Sequence, residues 1–216
     1  MKSSITIDRA FMTARINALA TKKIFWSEVD FQLALAWEIK QTLPEADICL
    51  ERRYMNDSGE PMYIDVCVTY QGRLYPIELK YKTKQVEIPD ADNQLISLKA
   101  HGACDLGRYG FLKDIARIEN LSKKENFERG FAIILTNDPL YYTANQRKSV
   151  DIEFKIHEGK TVGPGTLAWR SEADWTKEYP PLTLSGTYTC HWFPYDYPYD
   201  KSGAFKVLIC EIEQKN

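Results

Sequence analysis

The chain has 216 residues, 44% of them hydrophobic, with 28 Lys plus Arg against 30 Asp plus Glu and a net charge of −2. That length and apolar content are enough to bury a real core in a single domain spanning 1–216, while the balanced charge excludes a bulk polyanion-binding surface and leaves any such partner to a local basic patch. Five scattered cysteines without a C-x-x-C pair, only three histidines and no apolar run of about 20 residues exclude a disulfide framework, a zinc or histidine-rich centre and a membrane span, so the expectation is a reduced, cytoplasmic protein.

In chain order, residues 8–20 read as a helix, and "SEVDFQLALAWEIKQTL" as a second, opened by Ser27 with Asp30 at capping-box spacing and ended by Pro44. "ICLERRY" and "YIDVCVTY" read as strands around the turn "NDSG", and "RLYPIELKYK" as a third strand after Gln71-Gly72. "HGACDLGRYGFLKD" reads as a bend leading into the amphipathic helix "YGFLKDIARIENL", with Phe111, Leu112, Ile115, Ile118 and Leu121 on its apolar face. The buried-type strand "FAIILT" follows. This order defines an α/β core over 27–136: a helix, a three-stranded antiparallel meander, a crossover helix and a further strand. From 141 to 216 the runs "DIEFKIH", "TLAWR", "LTLSGTYTCHWF" and "AFKVLICEI" predict a β-rich, aromatic extension of the same fold, added as antiparallel strands.

With Gln71 and Gly72 as the central residues of a tight turn, Tyr70 pairs with Arg73 and Asp65 falls opposite Glu78. Ile64, Val66 and Val68 then meet Leu79, Ile77 and Tyr75 on a wholly apolar face, and a slip of one residue would scramble it. Two carboxylates facing each other across a sheet repel unless something neutralises them. A divalent cation such as Mg²⁺, which takes hard oxygen ligands, would do so. Lys80, two residues beyond Glu78 on the same face, is suited to orient an attacking water and offset phosphate charge, so the hairpin reads as a phosphodiester-hydrolysis site.

Asp65, twelve intervening residues, then Glu78-Leu79-Lys80 resembles the signature of the PD-(D/E)xK, or restriction-endonuclease-like, nuclease superfamily, and the order of elements over 27–136 is similar to that superfamily's core. The resemblance covers about half the chain. It implies that Asp65 and Glu78 hold Mg²⁺ (or Mn²⁺ in its place) with the Leu79 carbonyl, that Lys80 serves the nucleophilic water, and that an additional acid comes from the first core helix. Glu28 in "SEVDFQ" is the first choice for that acid, ahead of Glu38 and Glu51. Ile64 stands where the superfamily pattern has proline. The resemblance implies a metal-dependent nuclease acting on nucleic acid, DNA before RNA. The rival expectations are a non-catalytic interaction or immunity-type protein on the same scaffold, or a subunit active only in a larger complex.

Residues 94–129 hold the chain's densest basic supply. Lys113 and Arg117, one turn apart on a helix, are suited to a phosphate backbone, or Arg117 bridges Asp114 on a solvated face. Arg108 and Gln94 are further candidates for contact with nucleic acid. The dense aromatics of "CHWFPYDYPYD" offer either a stacking platform, a homo-oligomer or partner-protein interface, or plain packing of a Pro-rich loop on the sheet.

Overall fold

The computed structural model describes residues 5–56, 58–144 and 149–215. Two helices open it, α1 (Arg9–Ala20) and α2 (Glu28–Thr42). Asp8 caps α1 by accepting from Phe11 N, and Ser27 caps α2 by accepting from Asp30 N, each satisfying an amide the first turn leaves without a helical partner. The return half of the expected capping box differs. Asp30 accepts from Trp26 N and pairs with Lys23, a shorter side chain than the Glu or Gln that normally closes such a box.

Strands β1 (Asp47–Met55), β2 (Pro61–Tyr70) and β3 (Arg73–Lys82) form the antiparallel meander. Gln71 and Gly72 both take positive φ, 52° and 78°, as a type I′ turn requires. The register is the expected one, with Tyr70 opposite Arg73 and Val66 opposite Ile77. A small hairpin absent from the sequence expectation, β4 (Val86–Pro89) and β5 (Leu95–Leu98), comes before α3 (Cys104–Leu121). Helix α3 therefore begins within the stretch expected to be a bend, and Gly107 and Gly110 lie inside it. After β6 (Arg129–Thr136) come a short α4 (Pro139–Tyr142), β7 (Thr161–Val162), β8 (Gly165–Leu167), β9 (Leu182–Leu184), β10 (Tyr188–Thr189), β11 (Trp192–Pro194) and β12 (Lys206–Glu213).

The fold is α/β, with a mixed, mostly antiparallel six-stranded sheet in the order β1-β2-β3-β6-β12-β11, in which β3 and β6 are the parallel pair. Helices α1 and α2 cover one face, packing Met12, Ile16, Phe31 and Leu35 against Val66, Ile77 and Ile133. Helix α3 covers the other, packing Phe111, Ile115 and Ile118 with Ala132, Ile134 and Leu208. Burial on both faces explains why β6 reads as a continuous apolar run. No described helix is long and apolar enough to cross a membrane.

The C-terminal region joins the same sheet through β11 and β12, but not every expected strand forms. "DIEFKIH" contains a 3-10 turn at Ile152–Phe154, because Asp151 is buried against Arg108 and Lys155 and Phe154 turns in to meet Tyr109 and Trp169. In "TLAWR" only the first part is strand. Part of the aromatic run packs into the fold. Tyr195 and Tyr197 are buried, Tyr195 donating to Lys23 O beside Phe25 and Tyr197 to Pro89 O, which leaves Tyr199 the most exposed of the group.

Close approach of α3 to β6 depends on Gly130, where a Cβ would stand 2.2 Å from Ile118 Cγ2 and 3.3 Å from the Phe127 ring. Gly130→Ala is therefore expected to destabilise by about 1–3 kcal/mol through overpacking, while Gly102→Ala, which meets nothing within 4 Å, changes stability little. Urea unfolding of both variants checks this; equal midpoints would remove the packing argument.

Candidate active site

Strands β2 and β3 keep a regular ladder only as far as Val66 and Ile77. At the next rung the carboxylates of the expected Asp65–Glu78 pair replace backbone partners. Asp65 Oδ2 accepts from Leu79 N at 2.6 Å, and Asp65 N reaches Glu78 Oε2 at 3.4 Å. β1 is irregular at the same level: Glu51, between the pairs Leu50↔Val66 and Arg52↔Ile64, takes φ 51°, a left-handed conformation that costs a non-glycine residue energy. The expected faces are corrected at this level, although the β1–β2 register runs through it unshifted. Ile64 packs with Met62 and Cys67 on the α3 side, not with Val66 and Val68.

Helix α2 approaches from one side. Glu28 Oε2 accepts from Tyr81 N at 2.7 Å, and one turn on, the buried Gln32 donates to Asp65 O at 2.5 Å and to Glu51 Oε1 at 3.0 Å. Glu28 thus lies near enough to influence the charges of both Asp65 and Lys80. Glu38 is elsewhere, paired with Arg15 and Lys22. Helix α3 approaches from the other side. Lys80 Nζ lies 2.7 Å from Asp114 Oδ2, and Arg117 Nη1 lies 2.9 Å from Glu78 Oε1 and 3.5 Å from Asp114 Oδ1. Arg117 also donates to Tyr63 O. The Arg117–Asp114 bridge was the expected alternative, but it is not a solvated one, since Asp114 is buried beneath it.

Three carboxylates here share two cations. Burial pushes the Glu78 carboxyl well above the usual range, and Asp114 and Asp65 push it further, against the pull of Arg117 and Lys80. Burial likewise raises Asp114 and Asp65, the latter countered by the Leu79 amide. Burial draws Lys80 down, but Asp114 and Glu28 more than offset it and hold the ammonium charged. The Arg117–Glu78 and Lys80–Asp114 contacts are close yet not aligned as hydrogen bonds, so Glu78 Oε1 and Asp114 Oδ2 stay buried without a hydrogen-bond partner.

In donor type the site suits a hard divalent cation: the Asp65 and Glu78 carboxylates and the Leu79 carbonyl, which accepts from Lys80 Nζ at 3.3 Å, with a buried Glu78 oxygen lacking an aligned donor. Its positive charge is at present supplied by Arg117 and Lys80. Among the described residues, no group of three or more His, Cys, Asp or Glu side chains stands ready to hold a metal ion.

A groove of about 620 Å³ opens beside Asp65, lined by Glu51, Tyr63, Lys113, Arg117 and Asn120. A groove of similar size, about 650 Å³ along β12, contains none of the site's side chains, so the chemistry selects the first. Two expected contacts are not brought to it. Arg108 is buried, bound to Asp151 and donating to Leu140 O at 3.0 Å, because it ties α3 to the segment after α4. Gln94 is exposed in the β4–β5 turn, held by its own backbone to Asp90. Sequence reasoning gave Asp114 only as Arg117's partner and missed Gln32. Both had a signal, a polar residue on an apolar helix face: Asp114 falls three residues after Phe111 and four before Ile118, and Gln32 beside Phe31 and Leu35.

No protein-family model matches the chain, and no curated protein or solved structure matches it.

The raised Glu78 carboxyl makes a pH prediction. Below the ordinary glutamate range both folded and unfolded chains hold the proton, and the site's contribution to stability is complete. As pH climbs from there toward the raised value the folded chain holds more protons than the unfolded one, so that contribution is progressively lost. Glu78→Gln should accordingly flatten the fall in unfolding free energy between about pH 5 and 8. Urea midpoints across that range test it, and an unchanged slope would contradict the shift.

Proposed function

We propose that the protein is a metal-dependent nuclease of restriction-endonuclease-like core that hydrolyses phosphodiester bonds, DNA ahead of RNA. The observation that carries this reading is the convergence of Glu28, Asp65, Glu78 and Lys80, from one helix and two strands, at the single point where the β2–β3 ladder gives way to carboxylates. Asp65, Glu78 and the Leu79 carbonyl would hold Mg²⁺ or Mn²⁺. Once bound, such an ion lowers the pKa of a coordinated water and offsets charge on the phosphate. Lys80, held cationic and tethered by Asp114, orients the attacking water and offsets phosphate charge. Glu28 adds negative charge next to Lys80 and fixes the Tyr81 amide at the strand end. Lys113, exposed on the groove wall, meets the phosphate backbone.

A second reading has its own support. Arg117–Glu78 and Lys80–Asp114 already compensate the site's charges, as they would in an interaction or immunity-type protein that has no need of a metal.

Cleavage of plasmid, linear and single-stranded substrates with Mg²⁺, Mn²⁺ or chelator separates the two. The nuclease reading expects metal-dependent cleavage that falls by about 10²–10⁴ in Lys80→Ala, with the fold unchanged by circular dichroism. Undiminished cleavage in that variant would remove the assigned role of Lys80, and no cleavage of any substrate by the wild type would favour the second reading. Lys113→Ala is expected to weaken DNA binding similarly across sequences and to reduce the salt slope by about 1; Arg117 does not serve as a clean companion, being bound into the site.

A further inference from the structure

Helix α2 has a face that no described part of the chain covers. Its inner side buries Phe31, Leu35 and Ile39. On the outer side Val29, Leu33 and Trp37 recur every four residues and are 69%, 56% and 64% exposed, and Trp26, just before the cap, is 61% exposed. Residues at that spacing lie above one another on a helix, so Val29, Leu33 and Trp37 make one contiguous stripe, with Trp26 preceding its N-terminal end. Single exposed apolar residues are ordinary. A stripe with one tryptophan in it and another at its end is not, because water would be excluded from it by any matching surface, and tryptophan is enriched where interfaces are centred.

We propose that the stripe is a homodimer interface, on which a second copy of the chain lays its own α2 antiparallel about a two-fold axis near Leu33. The area argues for it. With large aromatic side chains burying about 150–250 Å² each, the four residues offer roughly 500 Å² per chain. Two copies reach roughly 1,000 Å² before flanking residues are counted, at the lower bound for a specific interface. The charges argue for it too. Antiparallel pairing sets the N-terminal end of each α2, positive by its dipole, beside the negative C-terminal end of the partner's α2. The same register sets Val29 against the partner's Trp37 and Leu33 against the partner's Leu33, the reciprocal pattern a two-fold contact demands. The opposite side of the helix carries Glu28 and Gln32 into the carboxylate site, so the dimer would steady the element that completes it.

Sedimentation velocity of the full chain from about 1 to 100 μM tests the interface. The wild type is expected to sediment as a dimer. Leu33→Glu and Trp37→Glu should raise the dimer dissociation constant about a hundredfold or more, since symmetry counts each substitution twice. Both positions are exposed, so far-UV circular dichroism should not change. Leu140→Glu, an exposed residue of α4 beside α3 on the sheet face away from α2, should leave the dimer intact. A wild type that stays monomeric at the highest concentration would overturn the proposal and assign the stripe to a different protein or a lipid surface; a dimer that survives both α2 substitutions would overturn it equally.

Discussion

Glu78 and Asp114 are buried carboxylates, Asp65 is half-buried beside them, and the chain sets two cations, Lys80 and Arg117, among the three. Withdrawing a charge from water costs several kcal/mol unless partners compensate it. Much of the surrounding architecture supplies those partners. The β2–β3 ladder stops at Val66 because the Asp65 carboxylate, not a carbonyl, takes the Leu79 amide. Helix α3 has to cross β3 at the turn holding Asp114 and Arg117, or Lys80 and Glu78 would be buried without their counter-charges.

The same constraint extends outward through neutral groups. Gln32 reaches down from α2 to bond both the Asp65 carbonyl and the Glu51 carboxylate, and Glu51 keeps a left-handed backbone in mid-strand. Backbone strain of that kind costs roughly 1–3 kcal/mol and persists only where neighbours over-determine it. It falls here at the level of Asp65, on the wall of the groove. Compensation is also incomplete, since buried oxygens of Glu78 and Asp114 find no aligned hydrogen-bond donor. A packed core selected for stability alone would replace such a cluster with apolar side chains, which often stabilises a fold; its retention is what the proposed metal chemistry explains.

Much of this was legible in the sequence for physical reasons that act locally. The Gln71-Gly72 turn set the hairpin register, the alternation of Val66, Val68, Ile77 and Leu79 fixed the faces, and Ser27 and Pro44 bounded α2. Asp65, Glu78 and Lys80 come together on the hairpin as those local rules imply, and Glu28 joins them from α2. What escaped depended on contacts distant in sequence. The face switch at Ile64 falls at the level of the irregular Glu51 in a neighbouring strand. Arg108 looked like a surface cation until Asp151, 43 residues later, buried it. "DIEFKIH" alternates like a strand, yet burial of Asp151 and Phe154 turns it. Packing of Tyr195 and Tyr197 was among the expectations for the aromatic run, but the backbone partners of their hydroxyls, Lys23 and Pro89, lie too far away in sequence to be read locally.

The claim at the centre of this account is that the buried carboxylates form a divalent-cation site, and thermal unfolding of the wild type and Asp65→Ala, with chelator and with about 10 mM Mg²⁺ or Mn²⁺, tests it without a substrate. A cation bound only by the folded chain adds about 1.4 kcal/mol at roughly tenfold excess over its Kd, which for a chain of this size raises Tm by about 3–6 °C. The account predicts that rise in the wild type, its loss in Asp65→Ala, and a metal-free variant at least nearly as stable as the wild type, because one of three crowded carboxylates is gone. A wild type indifferent to both ions, paired with a clearly destabilised Asp65→Ala, would contradict it and leave Asp65 as the satisfied structural partner of nearby Lys80 and the Leu79 amide.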